Sequence, residues 1–322
     1  MSDTLEVLSP PDAAAWDGLA AEAEDATVFH RSAWARLWSA AWPGARWQAI
    51  ALRDGGVLAA GLGFIARHGP GGSRILSMPD GTYGGPLVRR GLSDPARARR
   101  LLLEEWGRMA RARGVLASQL TWLDGDRGQA PAGLERDEGF TQVVALGSDF
   151  PAAFQRLSHG IRSRVRQAEE SGLALRAVME PAGVRAYHDL VVRNARRHGS
   201  RPRPLSLYLG VLEHLVPLGL ARFDLVEREG AVVGGGLHLL DGRRAMNWLT
   251  VADEAQRQLR PTHLVIAHWL RELSARGYRE YDLGGSPAGA KGLIEFKESW
   301  GAARRPVLTL RRRSLLHRLL GR

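Results

Sequence analysis

The chain has 322 residues, a formal charge of +11, 44% hydrophobic residues and no cysteine. That is globular composition, long enough for two domains of average size, and it excludes disulfides and thiolate metal sites. The basic residues are scattered along the chain, so they give a general attraction to anions rather than the concentrated stripe of a nucleic-acid binder.

The opening stretch, MSDTLEVLSPPD, has no basic n-region and no apolar h-region, and no apolar run approaches the length of a membrane span. A cytoplasmic protein is expected. Residues 52–64, LRDGGVLAAGLGF, are repeated in kind at 227–239, EREGAVVGGGLHL. Each copy places an acidic-glycine pair (Asp54-Gly55, Glu229-Gly230) between strand-like runs, a hairpin signal because glycine tolerates positive φ. Each is followed by a helical run that stops at Ala-Arg-Gly, RRLLLEEWGRMARARG and HLVIAHWLRELSARG, and then by a strand, VLASQLTWL and YREYDL. Arginine suits a last helical turn and glycine the residue after it. Two copies of one mixed α/β unit follow, divided near GSDFP as 1–148 and 149–310, with a basic tail at 311–322.

After that boundary, Ser158 caps a helix with an inward stripe of Ile161, Val165 and Ala168. Arg162 and Arg166 lie on another face, either as a solvated basic surface or as a clamp for phosphate or carboxylate. His30, His238, His263 and His268 lack metal-ligand spacing and read as packing or capping residues. Trp248 falls on a strand, in the core or along a cleft. Tyr83, in GTYGGPL, is a cleft candidate, because the adjacent glycines let a ligand approach the backbone.

The chain has only two lysines, Lys291 and Lys297, both in GAKGLIEFKESWG at 289–301. A glycine-rich loop holding Lys291 leads into a short helix, with Leu293, Phe296 and Trp300 on one face and Lys297 at the edge of that face. An inward ammonium is costly unless paired or used. It supplies a point charge that the flat guanidinium does not, suited to a developing oxyanion. Asp282, at the end of the preceding strand, either takes part in the chemistry or braces the loop.

The segment YDLGGSPAGAKGLIEFKESWGA resembles the C-terminal signature of the FemAB/FemX-type transferases, a tandem branch of the GNAT N-acyltransferase superfamily. The matching residues are Tyr281 to Gly284, Gly289, Gly292, Phe296-Lys297 and Trp300-Gly301. VFHRSAWARLW, with His30 and Trp34, is similar to the family's N-terminal element. MPDGTYGGPLV, with Tyr83, Gly84, Gly85 and Pro86, is similar to its Tyr-Gly-Gly-Pro turn. The arginine-rich helix with Arg162 and Arg166 and the proline-led helix from Pro261 also fit, especially in members linked to exopolysaccharide and cell-envelope clusters.

The resemblance implies two tandem GNAT-like domains and transfer of an acyl or aminoacyl group to an amine. The implied donor is aminoacyl-tRNA or acyl-CoA, and no permanently bound cofactor is expected. The implied acceptor is a cell-envelope precursor, such as a UDP- or lipid-linked one from peptidoglycan synthesis, or a polysaccharide-related acceptor. Lys297 and Asp282 become the catalytic candidates. Tyr83, Gly84, Gly85, His30, Trp34, Arg162, Arg166, Trp248, Lys291 and Phe296 become the substrate-binding candidates. The usual donor loop of CoA-using relatives, with Gly-x-Gly at a helix N-terminus, is replaced by RQLRPTHL, so Arg257, Arg260 and Thr262 are the candidates for holding donor phosphates. A CoA-dependent N-acetyltransferase of a small molecule and a non-catalytic GNAT-like binding protein are the alternatives. The tail RRRSLLHRLLGR sets leucines 315, 316, 319 and 320 against Arg311 to Arg313 and Arg318, either a frayed chain end or a pattern for contact with tRNA or with the inner face of a membrane.

Overall fold

The computed structural model describes residues 4–69, 71–80 and 82–314. These form two compact units, residues up to Gly139 together with those from Arg305 onward, and Phe140–Arg304.

The first unit runs β1 (Thr4–Leu8), α1 (Ala13–Glu22), α2 (Ser32–Ala41), β2 (Ala45–Asp54), β3 (Val57–Gly69), β4 (Gly72–Ser77), β5 (Leu87–Val88), α3 (Pro95–Arg111) and β6 (Val115–Leu123). α3 begins where Asp94 accepts the Arg97 amide, with Pro95 in the first turn, a position where a missing N–H costs nothing. Its inward face, including Leu102, Leu103 and Trp106, packs on Leu62, Phe64 and Leu120 of the sheet.

The second unit takes the latter half of β7 (Glu135–Ala145), then α4 (Phe150–Arg156), α5 (His159–Glu170), β8 (Ala174–Val178), α6 (Pro181–Arg197), α7 (Leu205–His214), β9 (Ala221–Arg228), β10 (Ala231–Asp241), β11 (Arg244–Ala252), α8 (Pro261–Ala275), β12 (Glu280–Gly285) and α9 (Lys291–Glu298). Ser158 caps α5 as expected, and Ile161, Val165 and Ala168 are its buried residues. The last strand, β13 (Ala303–Arg313), supplies the first unit from Arg305 onward.

The repeat is real in three dimensions. In the first unit β1, β2, β3 and β4 pair antiparallel in turn, and β4 pairs parallel with β6. In the second, β8, β9, β10 and β11 pair antiparallel in turn, and β11 pairs parallel with β12. Each hairpin turns on two residues of positive φ, Gly55-Gly56 and Glu229-Gly230, as tight hairpins require. The first turn thus falls one residue later than its sequence places it.

Each unit is completed by a strand from an unexpected part of the chain. β13 pairs antiparallel with β6 from Val307↔Leu123 to Arg313↔Ala117, and β7 pairs antiparallel with β12. The compact units are therefore cut at 139/140 and 304/305, not at 148/149 and 310/311. Arg311 to Arg313 are strand residues, not part of a tail. Residues 315–322, and with them the leucines and Arg318 of the amphipathic pattern, lie outside the described residues. Leu308 and Leu310 of β13 are buried in the first unit's core, and burying each contributes about 1.5–3 kcal/mol. No helix among the described residues is long and apolar enough to cross a membrane.

Candidate functional site

The two units differ where their parallel strands part. In the first, β4 ends at Ser77, paired with Leu120. Beyond that pair the chain fills its own gap. Ser77 Oγ accepts the Thr121 amide at 3.0 Å, and the Gly84 amide donates to Thr121 O at 2.8 Å. A side chain on Gly84 would strike the Ser77 carbonyl at 2.2 Å, and one on Gly85 would strike the Trp122 indole at 2.1 Å. His30 Nε2 is 3.2 Å from Gly85 O, and the Phe29 ring packs edge-on against both Trp34 and Tyr83. Five sequence candidates thus come together, but His30, Trp34 and Tyr83 are buried and the glycines are close against protein. This cluster closes the strand opening instead of lining a cleft.

In the second unit the opening persists. β11 pairs with β12 only as far as Met246↔Asp282 and runs on to Ala252 without it. A short 3-10 turn, Glu254–Leu259, then leads through Arg260, in the left-handed region at φ 62°, into α8. A pocket of about 310 Å³ lies here, lined by Ala252, Arg257, Arg260, Pro261, Thr262, His263 and Phe296. The three residues read as a donor-phosphate site therefore share one pocket with Phe296. A larger hollow of about 770 Å³, against α3 of the first unit, holds no candidate residue.

The start of α8 is a poor amide cradle. Pro261 has no N–H, and the amides of His263 and Leu264 both donate to Arg260 O, at 2.9 and 3.2 Å. Of that first turn only the Thr262 amide is left for a ligand, so most of the grip on an anion falls to the guanidinium groups. Arg257 donates to Glu254 Oε1 at 2.9 Å and Arg260 to Gln167 Oε1 at 3.3 Å, contacts that aim both side chains. His263 is held down to about pKa 4 by burial, then by the Arg164 and Arg260 charges. It is a neutral ring at pH 7, packed edge-on against Phe296. Arg164, on α5, was not singled out in the sequence. It lies among many exposed arginines with nothing to mark it.

Lys297 points inward from α9. It is 7% exposed, and Nζ donates to Gly284 O at 2.8 Å, Gly285 O at 2.9 Å and Ser286 Oγ at 3.0 Å. An ammonium has three N–H groups, and all three are used. Burial lowers its pKa to about 8, against the opposing pull of Asp282. Asp282 accepts the Thr141 hydroxyl at 2.5 Å and the Gly284 amide at 2.7 Å. It braces the turn at the end of β12, which favours that reading over a role as base.

Other expectations need correction. Leu293 is 43% exposed, and the inward residues of α9 are Ile294 and Lys297, because the helix is turned by one position from the sequence reading. Lys291 is the first residue of that helix, exposed, and not part of the loop. Arg162 is tied to Gln155 through its main-chain and side-chain oxygens at 3.0 and 2.8 Å, and Arg166 is exposed. Trp248 is buried beneath the Arg203 guanidinium, 4.7 Å from the ring centroid, and does not line the α8 pocket. His238 and His268 pack as expected, within 2.9 Å of the Tyr281 hydroxyl and 3.2 Å of Glu272 respectively.

Residues 155–298 match the family model of the acetyltransferase (GNAT) domain. The fold is similar to that of the FemX crystal structure, at TM-score 0.75 and 14% identity over 100% of both chains. It is similar at TM-score 0.56 and 15% identity to a tandem GNAT protein from the clavulanic acid biosynthesis pathway, over 95% of this chain and 98% of that one. A third likeness, TM-score 0.55 and 14% identity over 81% and 83%, is to the C-terminal domain of a putative lysylphosphatidylglycerol synthetase from Agrobacterium fabrum. No curated protein sequence matches the chain.

Proposed function

We propose that this chain is a FemX-like transferase of the GNAT superfamily, a reading supported by the GNAT-domain match and the FemX-like fold, and that its second unit binds a phosphate-bearing acyl or aminoacyl donor and passes the acyl group to an amine. The observation that carries this reading is the convergence of Arg257, Arg260, Thr262, His263 and Phe296 on one pocket where β11 and β12 part. The arginines hold the donor's phosphates. The neutral His263 ring and Phe296 give the donor a flat, partly apolar wall.

The amine nitrogen attacks the acyl carbonyl, a tetrahedral oxyanion forms, and the thiolate or ribose oxygen departs with the proton that the amine gives up. Lys297 contributes as a fixed positive charge behind the 284–286 segment, since its own N–H groups are occupied. An ordered charge costs no reorganisation when the oxyanion forms, which is where such sites gain most. Lys297, Asp282 and Thr141 together hold the strand end that faces the reacting carbonyl.

The near-absence of free amides at the start of α8 favours a donor gripped by side chains, and so aminoacyl-tRNA over acyl-CoA. The likeness to FemX favours an amine acceptor on a cell-envelope precursor, UDP- or lipid-linked. A thermal-shift comparison of acetyl-CoA with a mixed aminoacyl-tRNA pool tests the donor: a rise in melting temperature with the tRNA pool alone supports this reading. A rise with acetyl-CoA alone selects the N-acetyltransferase.

A further inference from the structure

The lysine cradle is closed by two residues that carry no charge. Ser286 Oγ, which accepts from Lys297 Nζ, donates its one proton to Gln142 Oε1 at 2.9 Å. Gln142, on β7 and fully buried, donates through Nε2 to Ile294 O at 2.9 Å. Ile294 is one turn before Lys297 on α9. The hydrogen bonds therefore form a ring, from Lys297 to Ser286 to Gln142 and back through Ile294 to the helix that carries the lysine. Direction is fixed at each step. The Ile294 carbonyl can only accept, so the Gln142 amide must present its oxygen to Ser286. That oxygen takes the serine proton, so toward Lys297 the serine can only accept.

We infer that Ser286 and Gln142 are positioning residues for the transfer reaction, orienting the Lys297 ammonium by a directed ring of hydrogen bonds between β7 and α9. This rests on the function proposed above for its purpose, though not for its test. Three acceptors converge on Nζ, and a neutral amine has only two N–H groups and a lone pair that would face the third. The ring thus favours the ammonium against the burial that lowers its pKa. Asp282 on β12 is the charged group acting on Lys297; Thr141, Gln142 and Ser286 are neutral.

The chain has two lysines, so the full-length protein labelled with 13C,15N-lysine gives two side-chain signals. The exposed Lys291 is the internal control, assigned by Lys291→Arg. The Lys297 midpoint is expected near 8 in the wild type. Ser286→Ala should lower it by about one unit, the size expected for one hydrogen bond to a charged group. Gln142→Met should lower it by less, Ser286→Thr should restore it, and Lys291 should not move. A merely structural role would change the melting temperature and leave the midpoint alone. A second measurement needs no variant: at pH 6 the held ammonium should show slowly exchanging Nζ protons for Lys297 and none for Lys291. An unmoved midpoint in folded Ser286→Ala, or Nζ protons that exchange as fast as those of Lys291, overturns the inference. Because no substrate enters either experiment, failure to detect acyl transfer would count against the proposed function and not against the ring.

Discussion

Lys297 and Gly284 hold each other in place: the ammonium donates to the glycine carbonyl at 2.8 Å, and the glycine takes φ 81°, a conformation open to few other residues. Lys297→Met keeps the stem and removes the charge. It should lower turnover on the true substrate by on the order of a hundredfold to a thousandfold, while donor affinity, which the proposal assigns to the α8 pocket, changes little. Steady-state kinetics beside donor titration checks both halves.

The same contact sets a pH dependence. The Lys297 pKa falls from 10.5 in the unfolded chain to about 8 in the fold, so between those values the unfolded state binds more protons and stability rises with pH. Activity that needs the ammonium falls over the upper side of pH 8. Denaturation of wild type and Lys297→Met across pH 7–11 should show a stability difference that moves in favour of the wild type as pH rises.

His263 has a consequence of the same sign in acid. Its folded pKa near 4 lies below the usual 6.5. Its contribution is complete above about pH 6.5 and is lost as pH falls through about 4. His263→Phe should flatten the wild type's decline in stability over that window, as read by urea unfolding at several pH values.

Arg260 ought to separate binding from stability. It occupies the left-handed region at φ 62°, at a cost of roughly 1 kcal/mol for a residue with a side chain. Arg260→Gly should raise stability by up to about 1 kcal/mol and weaken donor binding. Calorimetric melting and donor titration on the same sample decide this.

In the first unit, Gly85→Ala would push a methyl group into the Trp122 ring and should cost about 3 kcal/mol, the upper range for overpacking. If those glycines served ligand approach instead, the variant would keep its stability and lose only binding. Guanidinium unfolding distinguishes the two.

The duplicated hairpin, helix and strand were legible because alternation, caps and turn glycines are local signals. The exchange of β7 and β13 was not. A strand's pattern shows that one face is buried but not which neighbour it pairs with. The unit boundary was misplaced for that reason, and Thr141 and Gln142 escaped notice as part of the site. Ser286 is separated from its Gln142 partner by 144 positions, with nothing in either stretch to link them. Helical spacing placed Lys297 only at the edge of the apolar face, so neither its full inward aim nor the saturation of its three N–H groups was readable. Tyr83, Gly84 and Gly85 were recognisable as a tight, glycine-dependent turn, yet what crowds the glycines is Ser77 and Trp122, which the local sequence does not reveal.

The proposed donor pocket at the start of α8 is tested most directly by isothermal titration of wild type and an Arg257→Ala/Arg260→Ala double variant. Each is titrated with a mixed aminoacyl-tRNA pool and with acetyl-CoA. The account predicts that the wild type binds the aminoacyl-tRNA and that losing both arginines weakens this at least about tenfold, the equivalent of 1.4 kcal/mol. Wild-type affinity that is indifferent to the two arginines, or no binding of either donor, would contradict it.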